Sequence, residues 1–199
     1  IIENGDIIIE NGKIVSIGKF LTNQPYGTEI IDVSGKHIFP GLISSISTLG
    51  LQEIGAVRAT RDYAETGKVN PNVRANVSYN TDSELIPISR SNGLLIALSA
   101  PRSGLISGMS SLMMLDGWTW EDATLKSPVG IHIFWPSMNK PKLNKNKKDK
   151  DKNKKLKQIQ EIDNIFYDAN AYLKQKNSSS KSYKHNLRLE ALLPVINGE

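Results

Sequence analysis

The chain has 199 residues, of which 39% are apolar, low for a compact globular domain and above what a fully unfolded chain shows. It has no cysteine and three histidines (His37, His132 and His185), which excludes disulfides, thiolate zinc sites and cysteine nucleophiles and argues against a multi-histidine metal site. The net charge of +5 is local: residues 140–157 hold ten Lys and two Asp, and the remainder is net negative, so the high pI is not that of a basic fold. No apolar run is long enough to span a membrane as a helix.

The first elements are short strands. Asp6–Glu10 and Lys13–Ile17 flank Asn11-Gly12, a pair that suits a type I′ turn because both central residues need positive φ. Gly18 to Gly27 reads as loop. Glu29–Val33 reads as a third strand, and Ser34-Gly35 turns it into a fourth over 36–39. Four such strands are too few to bury a core alone. Pro40-Gly41 breaks the pattern, and Leu42–Leu49 resumes it as a further strand.

Beyond that strand the pattern changes. Thr81 with Glu84 three residues on forms a capping box, predicting a helix from there to about Asn92 with Gly93 just past its end; Pro87 within it predicts a kink or a shorter helix. Leu94–Ser99 is a continuous apolar run, expected to be a strand buried on both faces of a parallel sheet. Gly104–Leu115 is Gly- and Ser-rich, then apolar. As a phosphate loop it is weak, because no Gly-Lys-Ser/Thr ending follows. Trp118–Asp122 reads as an aromatic–acidic loop and Gly130–Pro136 as another strand. Residues 139–157 are low in complexity and read as a disordered, solvated insertion. No Arg and no aromatic residue interrupts the Lys run, which argues against nucleic acid and membrane as its partner. Leu156–Lys176 has helical spacing, with Ile159, Ile162, Ile165, Phe166, Ala169 and Leu173 on one stripe. Leu187–Ile196 suggests a last helix, with Pro194 an obstacle.

Glu10-Asn11-Gly12-Lys13-Ile14-Val15-Ser16-Ile17-Gly18, followed by Ile31-Asp32-Val33-Ser34-Gly35-Lys36-His37-Ile38-Phe39-Pro40-Gly41-Leu42-Ile43, resembles the opening of amidohydrolase-superfamily enzymes of the imidazolonepropionase and dihydroorotase type. The similarity is clear over residues 1–50 and looser to Leu193. It implies an α/β chain: a small N-terminal β-sandwich portion over residues 1–39, then the first units of an incomplete TIM-type (β/α)8 barrel over residues 40–199. The implied function is hydrolysis of non-peptide carbon–nitrogen bonds in amides, with one or two divalent metals such as zinc as the family's cofactor. The family pattern continues Asp-x-His-x-His, and the two imidazoles bind metal from one side of the strand. Here those positions are Ser44, Ile46 and Thr48, so no metal is expected within this chain.

The chain therefore reads as a piece of a longer protein, inactive as it stands, or as a non-catalytic amidohydrolase-like domain kept for structure or pairing. The partner expected on either reading is the remainder of its own barrel or a paired amidohydrolase domain. In isolation it is expected to fold poorly, with exposed sheet edges. Arg58, Arg61 and Asp62 follow the first barrel strand at its C-terminal end, where barrel active sites form; they are candidates for substrate contact or, equally, for surface ion pairs. His132 reads as a core imidazole bonded to a backbone carbonyl rather than a ligand, His37 as non-catalytic and His185 as solvent-facing. Asp116, Glu121 and Asp122 read as turn and cap residues rather than an acid–base cluster. Trp118 and Trp120 read as loop packing rather than a ring-stacking pair.

Overall fold

The computed structural model describes residues 1–21, 26–137, 145–178 and 184–199, with side chains from residue 153 onward in the third of these segments. The chain divides into two compact units, Ile1–Pro40 and Gly41–Glu199. It is a mixed α/β chain with two sheets, one of two strands and one of four.

In the first unit, β1 (Asp6–Glu10) and β2 (Lys13–Gly18) form an antiparallel hairpin. Asn11 and Gly12 join them at φ +50° and +71°, the pair of positive angles that a type I′ turn requires. The third and fourth expected strands do not form ladders. Residues 28–33 and 36–41 carry no regular structure. Ile30, Ile31, Ile38 and Phe39 are 73%, 74%, 57% and 79% exposed, so these β-branched and aromatic stretches lack the neighbour that would make them strands. The turn between them does form: Asp32 Oδ1 accepts from the Ser34 amide at 2.8 Å and hydroxyl at 2.6 Å, and these bonds lower the Asp32 carboxyl below its ordinary range.

The second unit is built on a sheet of order β3-β4-β5-β6. β3 (Leu42–Ser47) and β4 (Leu94–Ser99) are parallel and are connected through helix α1 (Leu85–Ser91). The expected capping box at Thr81 is not made. Thr81 donates instead to the Trp118 carbonyl at 3.1 Å, and the helix begins four residues later. Pro87 supplies the reason. An N-cap at Thr81 would place the ring deep in the helix, where it would remove a hydrogen bond and clash. A start at Leu85 places it in the first turn, where no donor is needed. The helix closes at Gly93, as expected, whose amide reaches the Arg90 carbonyl at 2.9 Å.

After β4 the sheet is no longer parallel. β5 (Ile106–Met114) and β6 (Thr124–Ile133) each run antiparallel to their predecessor, so the expected parallel repeat is limited to the β3–α1–β4 unit. The short β4–β5 and β5–β6 connections fix this, because a parallel return needs a crossover of a dozen or more residues. β4 is also not buried on both faces throughout: Ala97 and Ser99 are fully buried, but Leu95 is 47% exposed. One packed cluster, formed by Tyr79, Ile86, Ala97, Met113, Leu115 and Ala123, constitutes the core beside this sheet.

β5 is the most buried strand. Its glycine-rich approach is explained by packing. The chain at Lys68–Arg74 runs beside it, with single bridges from Val69 to Ile106 and from Arg74 to Met109. A Cβ on Gly104 would stand 2.5 Å from the Lys68 carbonyl oxygen, and one on Gly108 would stand 2.6 Å from that of Val73. The buried serines are satisfied: Ser111 exchanges a hydrogen bond with Ser127 at 2.9 Å, Ser127 donates to Asn76 Oδ1 at 3.1 Å, and the Asn76 amide donates to Ser111 at 3.2 Å.

α2 (Trp120–Ala123) follows an N-cap at Thr119, and Asp122 completes the capping box by accepting from the Thr119 amide, so of the expected acidic caps Asp122 is one and Glu121 only stands in the first turn. α3 (Lys145–Asn177) is longer than the spacing suggested. Residues 139–144 of the expected insertion lie outside the described residues, but 145–157, expected to be disordered, are helical backbone. This stretch has neither Gly nor Pro, and Lys propagates an existing helix well. The expected apolar stripe holds: Ile162 and Ala169 are 3% and 0% exposed, with Ile159, Ile165, Phe166 and Leu173 half-buried. α4 (Leu187–Ile196) packs on α3, with Pro194 in its last turn and Asn186 capping it through bonds from Arg188 and Leu189. Among the described residues, no helix is long and apolar enough to cross a membrane.

Candidate functional site

The C-terminal end of β3 is pinned from several sides. The Ala100 amide donates to the Ser47 carbonyl at 2.9 Å, and the Ser99 hydroxyl donates to the Leu49 carbonyl at 2.8 Å. Ser47 Oγ accepts from the Leu49 amide at 2.9 Å, which turns the chain off the strand. The result is an open depression of about 260 Å³ lined by Ser47, Thr48, Leu49, Gln52, Glu53 and Leu85.

Glu53 is the charged member of that set. Its Oε2 accepts from the Ser83 hydroxyl at 2.9 Å, while its Oε1 is buried without a hydrogen-bond partner among the described residues. Nothing but an acidic residue in a mixed-charge stretch marked Glu53 in the sequence. Its role in the depression comes from Ser83, thirty residues away, and no local pattern encodes that.

The three candidates for substrate contact lie on the loop that leaves this end of the strand. Gln52 bridges to Arg61, the Glu53 amide donates to the Thr60 carbonyl at 3.0 Å, and the Asp62 amide donates to the Leu51 carbonyl at 2.8 Å. The loop is thereby a narrow two-limbed projection. Arg58 opens a 3-10 turn at its tip, Arg58–Thr60, and is exposed. Arg61 is half-buried opposite Gln52, and Asp62 is exposed. None of the three lines the depression.

The two positions where the resemblance implies metal-binding imidazoles are placed differently from each other. Ile46, on β3, is 70% exposed. Thr48, just past the strand, is half-buried and lines the depression. A divalent metal does not fit this pair: Ile46 offers only hydrocarbon, and a neutral hydroxyl is a poor ligand. Among the described residues no three His, Asp or Glu side chains are grouped to hold a metal ion.

The remaining candidates are dispersed. His132, on β6, is half-buried, and burial holds its imidazole below the usual pKa. The backbone-carbonyl bond expected of its ring is not made among the described residues. His37 lies 6.3 Å from Phe39 between ring centroids, and His185 is exposed, as expected. Asp116 forms an ion pair with Arg90 at 2.8 Å rather than joining Glu121 and Asp122. Trp120 packs against the core and Trp118 is 89% exposed, so the expected loop packing holds for only one of them.

A second cavity of about 210 Å³ lies between α1 and the turn after β5, lined among others by Tyr79, Pro87, Arg90 and Leu115. The Tyr79 ring is 5% exposed and its hydroxyl has no partner among the described residues; burial pushes its pKa up to about 12.

No protein-family model matches this sequence, and no curated protein matches it. Among solved structures, the fold is similar to that of an amidohydrolase from Thermotoga maritima MSB8, with a TM-score of 0.80 and 22% identity. The match covers 96% of this chain and 50% of the other, so this chain spans half the length of that amidohydrolase. The chain has an amidohydrolase-like fold.

Proposed function

We propose that this chain is an amidohydrolase-related protein, representing the N-terminal portion of the architecture of carbon–nitrogen hydrolases, and that it is inactive as it stands. On this reading the β1–β2 hairpin belongs to a composite β-sandwich and β3–α1–β4 is the first unit of a (β/α)8 barrel. The observation that carries the inactive reading is the pair Ile46 and Thr48. One is hydrocarbon and exposed, the other a half-buried hydroxyl, at the positions where the family resemblance implies metal-binding imidazoles.

The alternative, a non-catalytic domain kept for pairing, draws its support from the edge of the four-stranded sheet. Among the described residues β3 has a neighbour on one side only, and Leu42, Ile43 and Ile46 are 61%, 62% and 70% exposed along it. An unpaired parallel edge with exposed branched residues suits a further strand from the remainder of the barrel or from a paired amidohydrolase domain. Arg58, Arg61 and Asp62 then belong to a loop at the mouth of the completed barrel and remain the proposed substrate contacts.

Elemental analysis of the purified protein, with hydrolysis assays against a panel of cyclic and linear amides, tests this. The expected result is substoichiometric transition metal and no turnover. Stoichiometric zinc with amide hydrolysis would sink it. The Ile46→His, Thr48→His double variant is expected to remain without stoichiometric zinc, because two imidazoles alone do not complete a zinc site.

A further inference from the structure

We infer that the depression at the end of β3 is a binding site for a small organic cation, an ammonium or amidinium group carried on an apolar body. The reasoning concerns charge. Among the described residues, Glu53 lines the depression, takes part in no ion pair, and keeps Oε1 buried without a hydrogen-bond partner. A carboxylate held this way is costly unless a positive charge or further donors compensate it. Ser83 supplies one neutral donor to the other oxygen. None of the six lining residues is basic, so among the described residues no counter-charge lines the depression.

The rest of the lining selects among cations. A divalent metal ion demands several oxygen ligands, usually more than one carboxylate, and this site has one. Leu49 and Leu85 offer apolar wall, whereas Thr48 and Gln52 offer neutral hydrogen-bonding groups. This combination of one carboxylate, two amphoteric side chains and two leucines suits an organic cation with a hydrocarbon or aromatic portion. In a wall of low dielectric the Glu53 charge acts on a cation in the depression even though its free oxygen is shielded from solvent. The volume of about 260 Å³ limits the occupant to a small molecule. Where the family resemblance implies a Lewis acid at this end of the strand, this chain presents an acceptor. Recognition of the cation does not depend on whether the chain hydrolyses anything.

The test compares benzamidinium chloride with neutral benzamide, and both with calcium chloride, at matched ionic strength. Binding is read by ligand-observed NMR and by thermal unfolding, with no turnover involved. Benzamidinium is expected to bind saturably and raise the unfolding temperature, with benzamide at least about tenfold weaker, as attraction between the ligand's charge and a nearby carboxylate implies. Glu53→Gln keeps an acceptor for Ser83. It is expected to lose at least about tenfold in benzamidinium binding while the ligand-free protein unfolds at the same temperature or higher. Leu85→Lys, which brings a cation to the rim, is expected to abolish benzamidinium binding. Equal binding of benzamide and benzamidinium, retained affinity in Glu53→Gln, a response to calcium alone, or no binding of any probe would each overturn the inference. Metal content and amide hydrolysis, which judge the functional reading, are measured separately and do not enter.

Discussion

The ring of Tyr79 packs so closely on Gly50 that a Cβ on Gly50 would overlap the ring carbons. Gly50 also has φ +75°, and its carbonyl accepts from the Asn80 amide at 2.8 Å. This contact, with Leu49 packed on the same cluster, joins the end of β3 to the core. Gly50→Ala is therefore expected to destabilise the protein by roughly 2–4 kcal/mol, combining a left-handed backbone with overpacking. Urea unfolding measures it, and Tyr79→Leu in the same background is expected to recover part of the loss.

The Tyr79 hydroxyl is buried without a partner among the described residues, and burial raises its pKa to about 12. Tyr79→Phe is expected to leave stability unchanged or raise it by about 1 kcal/mol, since an orphaned polar group is removed. The pH dependence has a definite sign. The folded state binds the phenolic proton more tightly than the unfolded state, whose tyrosine titrates near 10. The stability from this group is thus complete below about pH 10 and is lost as pH rises toward 12. Ultraviolet titration should show a late phenolate that disappears in Tyr79→Phe.

On the helical hairpin, Glu190 accepts from the Tyr172 hydroxyl at 2.8 Å and from Lys176. The bond from Lys176, then that from Tyr172, lowers the Glu190 carboxyl below its ordinary range. A depressed acid contributes stability above its unfolded pKa and loses it as pH falls through the folded one. The pairing of α3 and α4 is accordingly expected to weaken below about pH 4.5. Glu190→Ala should cost about 1–2 kcal/mol, chiefly by leaving the buried Tyr172 hydroxyl without this acceptor, because the ion pair itself is screened by solvent. Circular dichroism during acid titration, with and without the substitution, checks both.

Exposed branched residues on the β3 edge predict self-association. Ile43→Lys and Ile46→Lys are expected to change stability by less than about 0.5 kcal/mol, since both side chains face water. They should also shift the protein toward monomer in sedimentation velocity. A wild-type chain that is monomeric at all concentrations would remove the argument from this edge.

The β1–β2 turn, the α3 stripe and the end of α1 at Gly93 were all readable locally. Each follows from a short-range rule: two positive φ angles at Asn11-Gly12, an apolar period of 3.6, or a residue that terminates a helix. Partners distant in sequence decided the rest. Residues 29–39 had the composition of strands but found no ladder partner among the described residues, and Pro87 moved the start of α1. Short connections turned the sheet antiparallel after β4. Glu53 became the charged lining of a depression only because Ser83, on another segment, folds against it. Local conformation depends on a residue's own backbone and near neighbours, whereas ladders, burial and uncompensated charge depend on which distant segment arrives beside it.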